Sequence, residues 1–245
     1  MDAKVMRNMP DHLGEHRDVF DGTTHDYVDV ASSPAGSPVQ IADTLGGLAQ
    51  IKRPGVQMVV WRRELDLDFG GWVGQFDEVE DPRIRVLIHP TDTAKAIEPL
   101  LDRWGISKSK MRADFIADIT DLAAEFGKVA ASDLVDVRLE FVFDGACWKF
   151  HRDSVDLRLI TTYFGPATEW VRPANADRAL HEQRDYAGPI ETMQPFEVAF
   201  FKGKLACAGD GIVHRSPAIA GTNDTRLLLC LNTPSPASPD PWQPS

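Results

Sequence analysis

An α+β fold, mainly β, is predicted for this chain, with helices that come first and brace a β-sandwich or barrel. Two observations lead there. Apolar residues recur at helical spacing up to about residue 131, then alternate from residue 135. The strand-like segments after that point follow one another without intervening helices, which disfavours a doubly wound parallel sheet. The 245 residues, 43% of them hydrophobic, suffice for one large domain with a buried core.

Residues 1–50 are polar and rich in Gly, Ser, Asp and Pro, as in Ser32-Ser33-Pro34-Ala35-Gly36-Ser37-Pro38. They are expected to form a flexible N-terminal arm with one short helix over Pro38 to Ala49. His12 and His16 on that arm read as solvated histidines rather than a ligand pair. A single domain over 51–232 follows. Gly55 to Trp61, β-branched and aromatic after Pro54, reads as a strand. Asp92 to Trp104 reads as a helix with Ile97, Leu100, Leu101 and Trp104 on one stripe, and Pro99 is expected to kink or restart it. Lys110 to Ala131 is the clearest helix, its stripe Met111, Phe115, Ile119, Leu122 and Phe126 marking core packing. Val137, Leu139, Phe141 and Phe143 then alternate with more polar neighbours, as on a half-buried strand. Asp144-Gly145 is a turn. Strands are predicted at Val155 to Tyr163, Glu169 to Arg172, Glu197 to Lys202, Gly211 to His214 and Arg226 to Asn232. The tail from Thr233 to Ser245 holds five prolines and is expected to be extended and poorly packed.

A net charge of −11 argues against nucleic-acid or anionic-membrane partners. There is no run of 18 apolar residues and no apolar segment at the start, so neither a membrane span nor a secretory signal is expected. Three cysteines, Cys147, Cys207 and Cys230, fit no metal-finger or redox spacing. An odd count suits a reducing, cytoplasmic location.

The chemistry-bearing stretch is Phe150-His151-Arg152-Asp153, taken with His214. His151 and Asp153 alternate, so an extended chain points both to one face. His214, 61 residues past Asp153, offers a second imidazole. Two histidines and one carboxylate leave positions open on a metal, which suits non-haem Fe(II) that also binds a co-substrate and oxygen. The bland alternative is a surface histidine, a turn carboxylate and a hydrogen-bonded strand-end histidine. Another is a thiolate-containing zinc site that adds Cys207, or Cys147, to the histidines.

Segment 136–232, about 40% of the chain, resembles the double-stranded β-helix (jelly-roll) of Fe(II)/2-oxoglutarate-dependent dioxygenases, particularly the prolyl-hydroxylase-like ones. The features that match are His151 and Asp153, then Arg158 and Thr161, then Gly165 with Thr168, then His214 and Arg226. The string from Arg158 to Trp170, with His214-Arg215-Ser216-Pro217, is also similar to an uncharacterised bacterial family. The resemblance implies a β-helix core at 135–232, Fe(II) held by His151, Asp153 and His214, and 2-oxoglutarate as co-substrate. It implies hydroxylation of a small molecule or a protein side chain. Arg226, twelve residues past His214, would hold the far carboxylate of the keto acid in bidentate fashion. Tyr163, two residues past Thr161 on the same strand face, is a candidate helper for that carboxylate, or else core. Trp148 and Trp170 are candidate pocket walls. Arg158, Glu169, Arg152, Arg215 and Trp170 are candidates for substrate contact or for support of a ligand, and the arginines can equally be solvated. The loop from Pro173 to Pro195, with Arg178, His181, Arg184 and Tyr186, is long enough for a lid. The alternative left open is a metal-binding, zinc-homeostasis-related protein on the same scaffold that oxygenates nothing.

Overall fold

The two periodicities of the sequence become a helical layer and a pair of β-sheets. The structure, a computed structural model, describes residues 36–65, 72, 82–143, 147–206, 211–222 and 224–244. His12, His16, Cys207 and the Asp144-Gly145 turn lie outside the described residues.

The elements in chain order are β1 (Val39–Ala42), a 3-10 helix (Leu45–Lys52), β2 (Met58–Trp61) and β3 (Arg83–Ile88). Then come α1 (Thr93–Arg103), α2 (Lys110–Ala130), β4 (Val135–Val142), β5 (Leu157–Phe164) and β6 (Glu169–Val171). The last are α3 (Ala176–Glu182), β7 (Glu191–Thr192), β8 (Val198–Lys202), β9 (Val213–Arg215) and β10 (Arg226–Asn232). Seven strands form one sheet in the order β1-β2-β8-β5-β10-β4-β3, and three form another in the order β7-β6-β9. His151 adds a bridge to the small sheet opposite His214. From β4 onward the chain therefore alternates between sheets: β4 large, His151 small, β5 large, β6 and β7 small, β8 large, β9 small, β10 large. Every pairing among these is antiparallel. This alternation is a double-stranded β-helix, or jelly-roll, braced by helices.

Each face of the large sheet buries a separate core. One face sets Val137, Leu139 and Phe141 of β4, Leu159 and Tyr163 of β5, and Leu227, Leu229 and Leu231 of β10 against Phe115, Ile119, Leu122 and Phe126 of α2. The predicted α2 stripe is thus the contact, and each such large side chain contributes about 1.5–3 kcal/mol by leaving water. The other face sets Ile160, Ala199, Phe201 and Cys230 against Trp170, Met193 and Ile212 from the small-sheet side. α2 starts where the Ser109 hydroxyl accepts the Arg112 N–H at 3.1 Å, and ends at Ala131 in the left-handed region, φ 51°. α1 continues unbroken through Pro99, so the expected restart does not occur.

Three expectations are corrected. The segment from Pro38 to Ala49 is not a helix on a loose arm. Its first part is β1, an edge strand pairing in parallel with β2, and its second enters the 3-10 helix that buries Leu48 and Ile51. β-branched Val39 and Ile41 favour that extended state. The proline-rich tail is not loose either. Trp242 N–H donates to the Leu87 carbonyl at 2.7 Å, its ring packs on the helix-side core, and the Ser238 hydroxyl donates to Asp136 at 2.6 Å. It covers the β3 edge, which would otherwise offer unpaired backbone groups. Phe143 lies past the end of β4 and is 48% exposed rather than in the stripe.

A buried polar tie fastens α2 to the sheet. Arg63 grips Asp118 of α2 with both terminal nitrogens, its Nε donates to the Phe196 carbonyl at 2.8 Å, and the Tyr163 hydroxyl donates to Asp118 at 2.6 Å. Removing the carboxylate strands a guanidinium and a phenol out of water. Asp118→Ala should therefore lower the unfolding free energy by about 3–5 kcal/mol, read as a drop in the urea midpoint at unchanged slope.

Candidate metal centre

Where His151 lies opposite His214, each donates its N–H to the other's carbonyl, at 3.0 and 3.1 Å. Residues paired in this way carry their side chains on one face. The two imidazoles accordingly stand with ring centres 4.5 Å apart. Two residues on, the Asp153 carbonyl accepts the Lys204 N–H at 3.0 Å, which pins the third group. His151 Nε2 lies 3.4 Å from Asp153 Oδ1, and His214 Nε2 lies 3.3 Å from Asp153 Oδ2. Ligand atoms from all three residues lie within 4.8 Å of one another. Bonds of about 2.1 Å at right angles place neighbouring ligand atoms roughly 3 Å apart, so both histidine–aspartate separations are close to that of neighbouring ligands on one metal.

The donor atoms are also oriented. His151 Nδ1 faces the Lys149 carbonyl at 2.8 Å and His214 Nδ1 faces the Ile212 carbonyl at 3.3 Å. A carbonyl accepts, so Nδ1 carries the proton and the Nε2 lone pair of each ring turns to the centre. Phe201, 4.9 Å from His214, walls that ring from the core side. Burial alone would raise the Asp153 pKa. Without a metal, Nε2 of each ring donates to Asp153 when that ring is protonated, and these hydrogen bonds with the charges of His214 and Arg158 reverse this and hold the carboxyl well below the usual range. The same hydrogen bond, to Asp153, raises the His151 pKa against the opposing effect of burial.

Arg158 stands beside this centre as a support. Its Nη1 donates to Asp153 Oδ2 at 2.5 Å and its Nε to Asn232 Oδ1 at 2.6 Å, so one carboxylate oxygen is already engaged. Arg226 stands apart. It is 0% exposed, and its Nη2 reaches the hydroxyls of Thr168 at 3.2 Å and Thr162 at 3.5 Å. Its Nε and Nη1 have no hydrogen-bond partner among the described residues. Glu169, the carboxylate that acts on it most strongly, accepts from Arg215 Nε at 2.6 Å instead. Burial pulls the Arg226 pKa down to about 10, which still leaves it charged at neutral pH.

The remaining candidates are dispersed. Tyr163 and Thr161 share the β5 face that looks toward α2, and the Tyr163 hydroxyl is taken by Asp118. The structure does not bring them to Arg226. Trp170 is buried directly across β6–β9 from His214. Arg152 donates to the Gly211 carbonyl at 3.0 Å and to Asp177 at 3.0 Å, beside its ligand neighbours but outside the triad. Arg215 also lies over the Phe150 ring, 4.2 Å from its centre. Trp148 stacks with Arg184 at 4.1 Å. Cys147 is exposed, and no other group of three potential metal ligands occurs among the described residues. The Pro173 to Pro195 loop contains α3 and β7.

Residues 42–232 match the family described as "Protein of unknown function (DUF1826)". The chain belongs to that family. No curated protein matches it. Among solved structures, this DUF1826 chain is similar to a full-length Neurospora crassa protein in complex with alpha-KG, with 11% identity and a TM-score of 0.36 over 77% of this chain and 76% of that one. It is similar to a Pseudomonas putida prolyl-4-hydroxylase, with 10% identity and a TM-score of 0.31 over 66% of this chain and 97% of that one. Streptomyces albus HEPD with 2-hydroxyethylphosphonate and Fe(II) bound shows 15% identity and a TM-score of 0.25 over 43% of this chain and 19% of that one. Likenesses this slight bring no activity to the DUF1826 chain. Its jelly-roll rests on its own strand order.

Sequence reasoning missed Thr162, Thr168 as a direct arginine partner, and Asn232. The signal was present in the alternation. With Arg158 turned inward, Ile160 and Thr162 share its face while Thr161 and Tyr163 take the other. With Arg226 inward, so are Leu228, Cys230 and Asn232. A bulge at the Leu227/Leu228 register shift lets Tyr163 and Phe164 both pack on the helix side.

Two outcomes are expected in solution. Asp153→Ala and His214→Ala should each abolish stoichiometric divalent-metal binding by anaerobic titration calorimetry. For the parent, metal affinity should fall as pH falls, because a ligand imidazole must lose its proton to bind. With the His151 pKa raised by its hydrogen bond to Asp153, the decline should begin at a higher pH than for an unperturbed imidazole. A flat affinity across that window would contradict the triad.

Proposed function

We propose that this chain is an Fe(II)/2-oxoglutarate-dependent oxygenase that hydroxylates a small molecule or a protein side chain. The donor set fits the metal. Two neutral imidazole nitrogens and one carboxylate occupy one face and leave the rest open, the arrangement suited to non-haem Fe(II). Bound Fe(II) with a keto acid and oxygen supplies the oxidising chemistry, and the protein supplies binding, orientation and a dry cavity.

The observation that carries the reading is Arg226. A buried guanidinium without a carboxylate is costly unless an anion completes it. Thr162 and Thr168 beside it add hydroxyl donors for the same anion. Thr162 and Arg158 lie on one β5 face, four residues or roughly 13 Å apart along the strand. Arg158 marks the Asp153 end of that face and Thr162 the Arg226 end, and a five-carbon diacid carries a carboxylate at each terminus to lie between them. The steep turn at Gly165 sets the far end: φ is +77°, and a Cβ there would meet the Thr225 carbonyl oxygen at 2.0 Å. Only glycine lets β5 end so close to the start of β10.

Arg226→Ala should weaken 2-oxoglutarate binding by about 1.5–3 kcal/mol, roughly 10- to 150-fold, and leave metal binding intact. Anaerobic titration of the Fe(II)-loaded protein with 2-oxoglutarate, followed by its visible charge-transfer band, measures this. Keto-acid binding by the variant equal to the parent's would remove the main support for an oxygenase. Tightly held zinc that resists exchange, with no band, would point instead to a zinc-binding protein on the same scaffold.

A further inference from the structure

The two edges of the extended segment that carries His151 are held differently. On one edge, His151 exchanges both backbone hydrogen bonds with His214 of β9. Successive residues of an extended chain turn their N–H and C=O to opposite edges. Phe150 therefore faces away from β9, where no strand follows in the small sheet among the described residues. A single side chain takes the place of that strand. Gln183 Oε1 accepts the Phe150 N–H at 2.9 Å, and its Nε2 donates to the Phe150 carbonyl at 3.0 Å. The second Nε2 hydrogen goes to the Leu180 carbonyl at 2.8 Å, so the amide is fully engaged.

Gln183 holds this position in a strained backbone. It caps α3 at φ 54° and ψ −110°, outside the left-handed well that non-glycine residues tolerate. The segment around it grips the same strand. The Phe150 ring meets Tyr186 edge-on at 5.5 Å, and Arg184 covers Trp148. Glycine would suit that backbone better, but it has no amide to offer Phe150.

We infer that Gln183 is a positioning residue for the metal centre, fixing His151 through the Phe150 backbone as a one-residue substitute for a missing strand. This rests on the reading of His151, Asp153 and His214 as metal ligands. Without the amide, the segment keeps its β9 edge but can rotate about it, and the His151 ring swings off the common point. Outer partners that orient a ligand histidine typically carry 10- to 100-fold in metal affinity.

The test uses the full chain and Co(II), whose visible absorption reports ligand geometry. Gln183→Met keeps the length of the side chain without its hydrogen bonds, and Gln183→Gly removes the strain as well. Both should bind Co(II) at least ~10-fold more weakly than the parent and show an altered ligand-field spectrum. Metal-free melting of Gln183→Gly should stay near the parent's, since relief of strain offsets the lost hydrogen bonds. If that variant does not fold, Gln183→Met decides the matter. Variants with the parent's affinity and spectrum would overturn the inference while leaving the metal centre standing. A parent that takes up no Co(II) would overturn the metal reading, and this one with it.

Discussion

The pair of backbone hydrogen bonds between His151 and His214 is the contact on which the rest of the site depends. It joins residues 63 apart in sequence and closes the small sheet across its last position. Because both bonds form between the same two residues, their side chains leave the backbone on the same face. The large sheet supplies the rigidity behind it. β5 and β10 are central strands, buried by α2 on one side and by the small-sheet core on the other. The candidate ligands thus sit on short, otherwise weak segments that are anchored to a well-packed layer.

Charge is distributed around this frame with one conspicuous asymmetry. Buried arginines are usually matched here. Arg63 has Asp118, Arg112 has Asp102 and two carbonyls, and Arg158 has Asp153 with Asn232 behind it. Arg226 is more deeply buried than any of these, yet it has only two threonine hydroxyls among the described residues. Leaving such a cation unmatched in a chain that carries excess negative charge is a retained cost. Its location on the same inner sheet face as Arg158 and Asn232 gives that cost a chemical reason.

The Asp153 carboxylate links the two halves of the site. Both histidines and Arg158 converge on its two oxygens, which keeps it ionised despite burial. An ionised, oriented carboxylate beside two imidazoles is a candidate ligand set. Arg158 occupies Oδ2 strongly, so Oδ1 is the freer oxygen for a metal.

What the sequence determined by itself follows from local periodicity. The α2 stripe, the β4 alternation and the His151-Arg152-Asp153 spacing each depend on residues within a few positions, where the 3.6 and 2.0 periods act directly. The resemblance supported the pairing with His214 and singled out Arg226 as a candidate. Long-range packing decided the rest. Whether Tyr163 faced the centre or α2 depended on which parity of β5 is inward, and that parity is set by pairing with β8 and β10. β1 and the proline-rich tail acquire structure only from β2 and β3 across the sheet edges. The roles of Asn232 and Gln183 come from contacts 74 and 33 residues apart in sequence, which no local pattern encodes.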